Sequence, residues 1–165
     1  FRSFQLIAAM NPCPCGHLGD RSRPCLCTGD AVSRYQARLS GPLLDRIDLR
    51  VEVLSVTPQE LAAAPQGASS AEVAARVANA RQHQHDRQGK LNAELVAAEL
   101  DQYCKPSDAA SAFMQNASAR LGWSSRSYHR VLRVARSIAD LAGSEAIDTL
   151  HVAEAIQLRR ALPGA

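Results

Sequence analysis

The stretch from Ser124 to Ala142 constrains the fold more than any other part of the sequence, because its apolar residues recur at the spacing of one helix face. Ser124 is a candidate N-cap, and Trp123 and Tyr128 are spaced as a hydrophobic staple around it. A helix with such a broad apolar stripe must bury it against other elements. The apolar positions are Tyr128, Val131, Leu132, Ala135, Ile138, Ala139 and Ala142.

The rest of the chain after Gly67 is also typical of helices. Ser69 and Glu72 form a capping-box pattern at the start of a helix that ends near Gln88. Only 4% of the residues are aromatic, while alanine and leucine are abundant, which favours helices packed through small side chains. Further helices are predicted at 93–103, at 107–121 with Pro106 in the first turn, and from Asp148 to near Ala161.

The first third of the chain has a different pattern. Phe4–Met10 is a short continuous apolar run, as in a strand buried on both faces of a parallel sheet. Asp48–Val56 alternates like a second strand, and a short helix at 31–39 and a helical turn at 43–46 lie between the two. The opening FRSFQLIAAMNP is typical of a strand entered in mid-course, so we expect a piece of a longer protein.

These patterns predict two domains. Residues 1–57 are expected to form an α/β fragment that contains a four-cysteine loop at 13–27. Residues 58–68 are expected to be a linker because of their proline and glycine content. Residues 69–165 are expected to form an all-helical domain.

The loop contains Cys13, Cys15, Cys25 and Cys27, which supply the four thiolates of a tetrahedral zinc site. No export signal is recognisable, so we expect a reducing cytoplasmic location, where clustered cysteines are more often metal ligands than disulfides. The C-x-C spacing is less common than C-x-x-C, and His17 is a possible substitute ligand. Reduced free thiols, a disulfide and an iron–sulfur cluster remain as alternatives.

Three polar residues are candidates for phosphate chemistry. Asn11 follows the first predicted strand, where parallel sheets present ligand-binding residues, although Asn-Pro is also an ordinary turn. Arg46 can stabilise charge on a transferring phosphoryl group or form a plain surface ion pair. Arg126 lies in the first turn of a predicted helix, where the helix dipole favours anions, and it is alternatively part of a solvated face.

Together, FQLIAAMNPCPCGHLGD, RYQARLSGPLLDRIDLRVEV and SSRSYHRVLRVARSIADL resemble the magnesium-chelatase-like AAA+ ATPases of the YifB/ComM type. The resemblance extends from Phe4 to about Leu162. It implies the C-terminal part of a P-loop AAA+ core followed by a helical lid. It also implies ATP and Mg²⁺ as cofactors, and a homo-hexameric ring that drives branch migration or related DNA remodelling in competence or recombination.

The same resemblance implies a role for each candidate residue. Asn11 matches the sensor-1 asparagine, which positions the attacking water. Arg46 matches the arginine finger, which reaches the nucleotide of a neighbouring subunit. Arg126 matches the sensor-2 arginine, which contacts the bound nucleotide and can also act in trans.

One departure from the family pattern limits what this chain can do alone. The sequence contains no G-x-x-x-x-G-K-[ST] motif and no strand ending in paired acids. We therefore expect an ATPase in the intact protein and no activity from this chain by itself. Two alternatives remain: an ATPase subunit that serves a metal chelatase, and a zinc-stabilised module that binds nucleic acid without turnover. The net charge of +3 permits DNA as a partner without requiring it, and no apolar run is long enough to cross a membrane.

Overall fold

The computed structural model describes residues 5–20, 22–53, 56–63 and 67–159. These residues form eight α-helices and a short 3₁₀ turn at Asn92–Glu94, with no β-strand among them. The helices are α1 Gly29–Gln36, α2 Gly41–Leu44, α3 Pro58–Ala62, α4 Ser70–Gln88, α5 Ala97–Tyr103, α6 Asp108–Leu121, α7 Ser125–Leu141 and α8 Thr149–Gln157.

The chain divides into two compact units. The first unit comprises the described residues before position 64, except for Asp48–Val51. The second, called the helical unit below, comprises Asp48–Val51 and the described residues from 67 onward.

Helix α7 is the centre of the helical unit and contacts α4, α5, α8 and the 3₁₀ turn. Its N-cap is Ser124, whose side chain accepts a hydrogen bond from the backbone N–H of Ser127, as predicted. Trp123 and Tyr128 are partly buried against the core. The core consists of Leu95, Leu100, Cys104, Ala110, Met114, Val131, Leu132, Ala135, Ala139, Ile147, Val152 and Ala155.

Helix α4 begins and ends as its sequence predicts. Ser69 and Glu72 form the reciprocal capping box, and Gly89 ends the helix in the left-handed conformation at φ 72°. The predicted helix at 93–103 is instead the 3₁₀ turn followed by α5, which begins only at Ala97. Pro106 is not in the first turn of α6, because it precedes the N-cap Ser107 and forms an isolated parallel bridge with Ile147.

The two predicted strands are not formed by the described residues. Residues 5–10 are exposed, with Ile7 85% exposed, and Val53 is 88% exposed. A strand is stabilised by hydrogen bonds to neighbouring strands, and the described part of the chain pairs none with either segment. Phe4, Leu54 and Ser55 lie outside the described residues. The α/β class of residues 1–57 therefore stays a prediction, whereas the helical part of the predicted fold is present.

The predicted linker at 58–68 is not without structure, because it contains α3. Thr57 caps this helix through a capping box with Glu60, a local signal strong enough to form one turn and a half. Residues 64–66 of the linker and the predicted helix end at Ala161 lie outside the described residues. Helices α1 and α2 overlap the helical segments predicted at 31–39 and 43–46, and each begins two residues earlier than predicted.

Candidate functional site

The sulfur atoms of the four loop cysteines all lie within 4.8 Å of one another. The Sγ of Cys13 lies 3.4 Å from that of Cys15 and 3.7 Å from that of Cys25, and the Sγ atoms of Cys15 and Cys25 are 3.6 Å apart. A tetrahedral zinc ion with Zn–S bonds of about 2.3 Å holds its sulfurs about 3.8 Å apart. The thiols therefore have nearly the spacing of a tetrathiolate zinc site, and they are too far apart for the roughly 2 Å S–S bond of a disulfide.

A tight turn allows the first C-x-C pair to converge. The backbone N–H of Gly16 donates to the carbonyl of Cys13 at 3.0 Å, which closes the turn around Pro14 and Cys15. Gly16 has φ 82°, a conformation that is strained for residues with a side chain. Because of this turn, the side chains of Cys13 and Cys15 point to the same place despite their C-x-C spacing.

Backbone amides stabilise the charged form of one thiol in particular. The amides of His17 and Leu26 donate toward Cys15 and lower its pKa to about 6. The amide of Cys15 also lowers the pKa of Cys27, but hydrogen bonding between the two thiols and burial raise that pKa to about 12 overall. Cys15 thus ionises more readily than Cys25 and Cys27, whose pKa values are raised, and a bound cation would favour the thiolate form of those two.

His17 does not join the cysteine cluster. Its Nδ1 lies 3.5 Å from a carboxylate oxygen of Asp20, whose other oxygen accepts hydrogen bonds from Ser22. Among the described residues, the group of ligand atoms close enough to hold a metal consists of the four cysteines. The structure therefore brings together the predicted ligand set and leaves out the proposed substitute.

Asn11 is exposed and lies beside the cysteine turn. A Cβ atom placed on Gly16 would lie 3.8 Å from the Cγ and Nδ2 atoms of Asn11, so the turn passes directly against this amide. Gln36 of α1 is buried and donates from its Nε2 to the carbonyl of Pro12 at 3.1 Å. The chain after Asn11 is therefore held on one side by α1 and continues into the cluster through Cys13.

The two candidate arginines are both exposed but belong to different units. Arg46 follows α2, and its Nη1 donates to the carbonyl of Pro42 at 3.0 Å. Arg126 is in the first turn of α7, and no ion pair or hydrogen bond of its guanidinium is found among the described residues. Their assigned roles stay predictions.

The helical unit contains a buried polar network that was not predicted from the sequence. Arg136 of α7 is only 2% exposed, and its Nε donates to Asp140 at 3.0 Å. Arg87 makes two further hydrogen bonds to Asp140, at 2.6 and 3.0 Å, and Asn92 donates to it at 2.8 Å. The i, i+4 spacing of Arg136 and Asp140 on one helix could have indicated their ion pair. The other two partners, Arg87 and Asn92, are distant in sequence, so no local pattern indicates them.

Burial alone would raise the pKa of Asp140. Hydrogen bonds from Arg87 and Asn92, with the positive charge of Arg136, outweigh burial and hold the pKa below its ordinary value. Asp140 is therefore ionised at neutral pH and joins three elements of the helical unit.

Comparison with known proteins places the chain in a family. The family described as "Magnesium chelatase, subunit ChlI" matches residues 2–61, and "Magnesium chelatase, subunit ChlI C-terminal" matches residues 67–159. The chain belongs to the magnesium-chelatase-like proteins of the YifB/ComM type, which confirms the resemblance seen in the three motifs.

Individual relatives cover nearly all of this chain. It is 43% identical over 158 residues to the protein named competence protein ComM of Haemophilus influenzae, and 44% identical to the uncharacterized protein YifB of Escherichia coli. An uncharacterized protein of Mycobacterium bovis is 39% identical over 161 residues. The matches cover 94% to 95% of this chain but only 30% to 31% of each relative, so the chain spans about a third of their length.

None of the helices in the described ranges combines the length and the apolar character that a membrane crossing requires.

Proposed function

We propose that the intact protein is an AAA+ ATPase that uses ATP and Mg²⁺ to remodel DNA as a homo-hexameric ring. The observation that carries this proposal is the match to magnesium chelatase and ComM-type proteins over nearly the whole chain, including all three motifs. The name competence protein, given to the relative from Haemophilus influenzae, supports the link to DNA.

The positions of the three candidate residues are compatible with this chemistry. The side chains of Asn11, Arg46 and Arg126 are all exposed and so are accessible to a ligand. The amide of Asn11 can hold the attacking water, while Arg46 supplies positive charge to the transferring phosphoryl group of a neighbouring subunit. Arg126, at the N-terminus of α7, adds its charge to the helix dipole and so attracts the phosphates of ATP.

The test is ATP hydrolysis by the intact protein, with and without branched DNA. Arg46→Ala should lower kcat by about a thousandfold or more, because a missing arginine finger costs that much in related reactions. Arg76→Ala, which removes an exposed arginine from α4, should leave turnover unchanged. Wild-type turnover in Arg46→Ala would show that the assigned role is wrong.

DNA stimulation separates the proposal from the chelatase alternative, which the family description itself favours. Faster hydrolysis with forked or four-way DNA supports remodelling of DNA. Co-purification with a large chelatase subunit and no response to DNA would instead favour metal insertion. The present chain alone should hydrolyse no ATP above background, because its sequence lacks the phosphate-binding motif.

We further propose that Cys13, Cys15, Cys25 and Cys27 hold a structural Zn²⁺ ion. The sulfur spacings and the amide donors around Cys15 support this assignment. Zinc would supply a cross-link between the two C-x-C segments and no reaction step. Protein purified without added zinc should contain about one equivalent per chain; less than half an equivalent, with four titratable thiols, would exclude the site.

A further inference from the structure

The segment Asp48–Val51 lies immediately after Arg46 but belongs to the helical unit. The residues up to Ile47 and those from Glu52 to Ala63 belong to the first unit. These four residues therefore pack with the helical unit, although the residues on either side of them in sequence do not. They begin two residues after Arg46, the proposed arginine finger.

Hydrogen bonds between described residues hold this segment. Arg130 of α7 donates from its Nη1 to a carboxylate oxygen of Asp48 at 2.6 Å. Arg159, just after α8, donates to the carbonyl of Asp48 at 3.4 Å. The backbone N–H of Arg50 donates to the carbonyl of Leu158 at 2.7 Å. Both the side chain and the backbone of the segment are thus fixed, by residues of two different helical regions.

The ion pair is better suited to positioning than to stabilising the fold. The side chain of Arg130 is 19% exposed and that of Asp48 is 56% exposed. Ion pairs exposed to this degree contribute little to the free energy of unfolding, because water screens their attraction. The distance of 2.6 Å between Arg130 Nη1 and Asp48 Oδ1 is nevertheless that of a direct charge-assisted hydrogen bond, which restricts where Asp48 can lie.

Arg130 also connects the segment to the proposed nucleotide contact. It lies four residues after Arg126 on α7, a spacing that puts the two side chains on the same side of a helix. Arg46 and Asp48 are two residues apart, so their Cα atoms are separated by at most about 7 Å. One helix therefore carries Arg126 and, through one ion pair, holds the chain next to Arg46.

We infer that Arg130 is a positioning residue for Arg46. Through Asp48 it fixes the chain two residues after Arg46, which restricts the positions that Arg46 can take. This inference rests on the proposed ATPase function. Arg130 touches no reacting atom in this scheme; it acts by placing the guanidinium of Arg46 where the phosphoryl charge develops.

The experiment is a double-mutant cycle in the intact protein, with Arg130→Ala, Asp48→Ala and the pair combined. Each single variant should lower kcat by about tenfold to a hundredfold, because a displacement of about 1 Å in a catalytic group can cost that much. The double variant should be no slower than either single variant, since both remove the same contact. The affinity for a non-hydrolysable ATP analogue and the Tm should not change, and Arg76→Ala serves as the control.

The outcomes separate this inference from the function on which it rests. Wild-type kcat in Arg130→Ala, with a strong loss of kcat in Arg46→Ala, would show that Arg130 does not position Arg46. The arginine-finger role of Arg46 would then still stand. Wild-type kcat in Arg46→Ala would overturn the proposed function itself. Losses that multiply in the double variant, a weaker affinity for the analogue or a lowered Tm would each show that Arg130 acts in another way, and would overturn the positioning role.

Discussion

The helical unit buries a continuous apolar core that includes Leu100, Met114 and Val131, whereas the buried apolar residues found in the described part of the first unit are Cys13 and Val32. The first unit also leaves large apolar side chains in solvent, such as Ile7 at 85% and Leu26 at 84% exposure. A unit with so little buried surface needs another source of stability, and the cysteine cluster is placed to supply it. One unit is thus held by its apolar core, whereas the other buries little apolar surface and contains the four cysteines of the proposed zinc site.

The largest effect expected from this difference is the response to loss of a thiol. Cys13→Ser should abolish zinc binding and remove hydrogen-exchange protection around the loop and α1, because the loop has little other support. Amides of α7 and α8 should remain protected. Metal analysis and hydrogen exchange followed by mass spectrometry test both parts.

Cys104→Ser is the matched control, since Cys104 is also fully buried but lies in the helical core. This variant should keep its metal content and lower the hydrogen-exchange protection of the helical unit instead. If both variants lose hydrogen-exchange protection in both units, the two units are not stabilised independently.

Removal of a buried charge should have the next largest effect. Asp140→Ala leaves Arg136 buried without its carboxylate, and breaking a buried ion pair in this way costs about 3–5 kcal/mol. Urea denaturation of the helical unit measures the change in the free energy of unfolding. Asp101→Ala removes an exposed carboxylate from α5 and should change it little; equal losses in the two variants would contradict the role of the network.

The same carboxylate predicts a pH dependence. Because the pKa of Asp140 is lower in the folded protein than in the unfolded chain, its contribution is complete above the ordinary carboxyl pKa of about 4. The contribution is lost as the pH falls further, through the folded-state pKa. Asp140→Asn should flatten the decline in stability below about pH 4 relative to the wild type. An unchanged slope would show that other groups control acid unfolding.

A core truncation should destabilise the helical unit by a similar or smaller amount. Leu100 is 1% exposed, so Leu100→Ala should cost about 2–5 kcal/mol through lost burial and a residual cavity. Leu121→Ala, at a position 58% exposed, is the matched control and should cost far less. Metal content should be the same in both variants, and a loss of zinc in Leu100→Ala would contradict the division into separately stabilised units.

The smallest effect expected is that of a helix cap. The Oγ of Ser69 accepts a hydrogen bond from the backbone of Glu72 at 3.3 Å, and Ser69→Ala should cost about 1 kcal/mol. Ser70→Ala changes the next residue without removing a cap. A difference below experimental error between these two variants in thermal unfolding would show that α4 does not need its capping box.

Much of the helical unit was predictable, because caps and apolar spacing are local signals. Ser69 with Glu72 and Ser124 before α7 indicated helix starts that the structure confirms. The two strands stay predictions for a related reason. An apolar run such as residues 5–10 indicates only that a segment can be buried, whereas a strand also requires a partner, which a local pattern cannot supply.

The sequence by itself determined the longer helices, the four-cysteine cluster as a candidate metal site and the family of this protein, since each depends on residue types at short spacing. Only the tertiary structure showed that Arg136 is buried against Asp140 and that Asp48 pairs with Arg130. The pair of Asp48 and Arg130 spans 82 residues of sequence. A contact over that distance depends on how helices pack, and packing is set by the whole core rather than by any one segment.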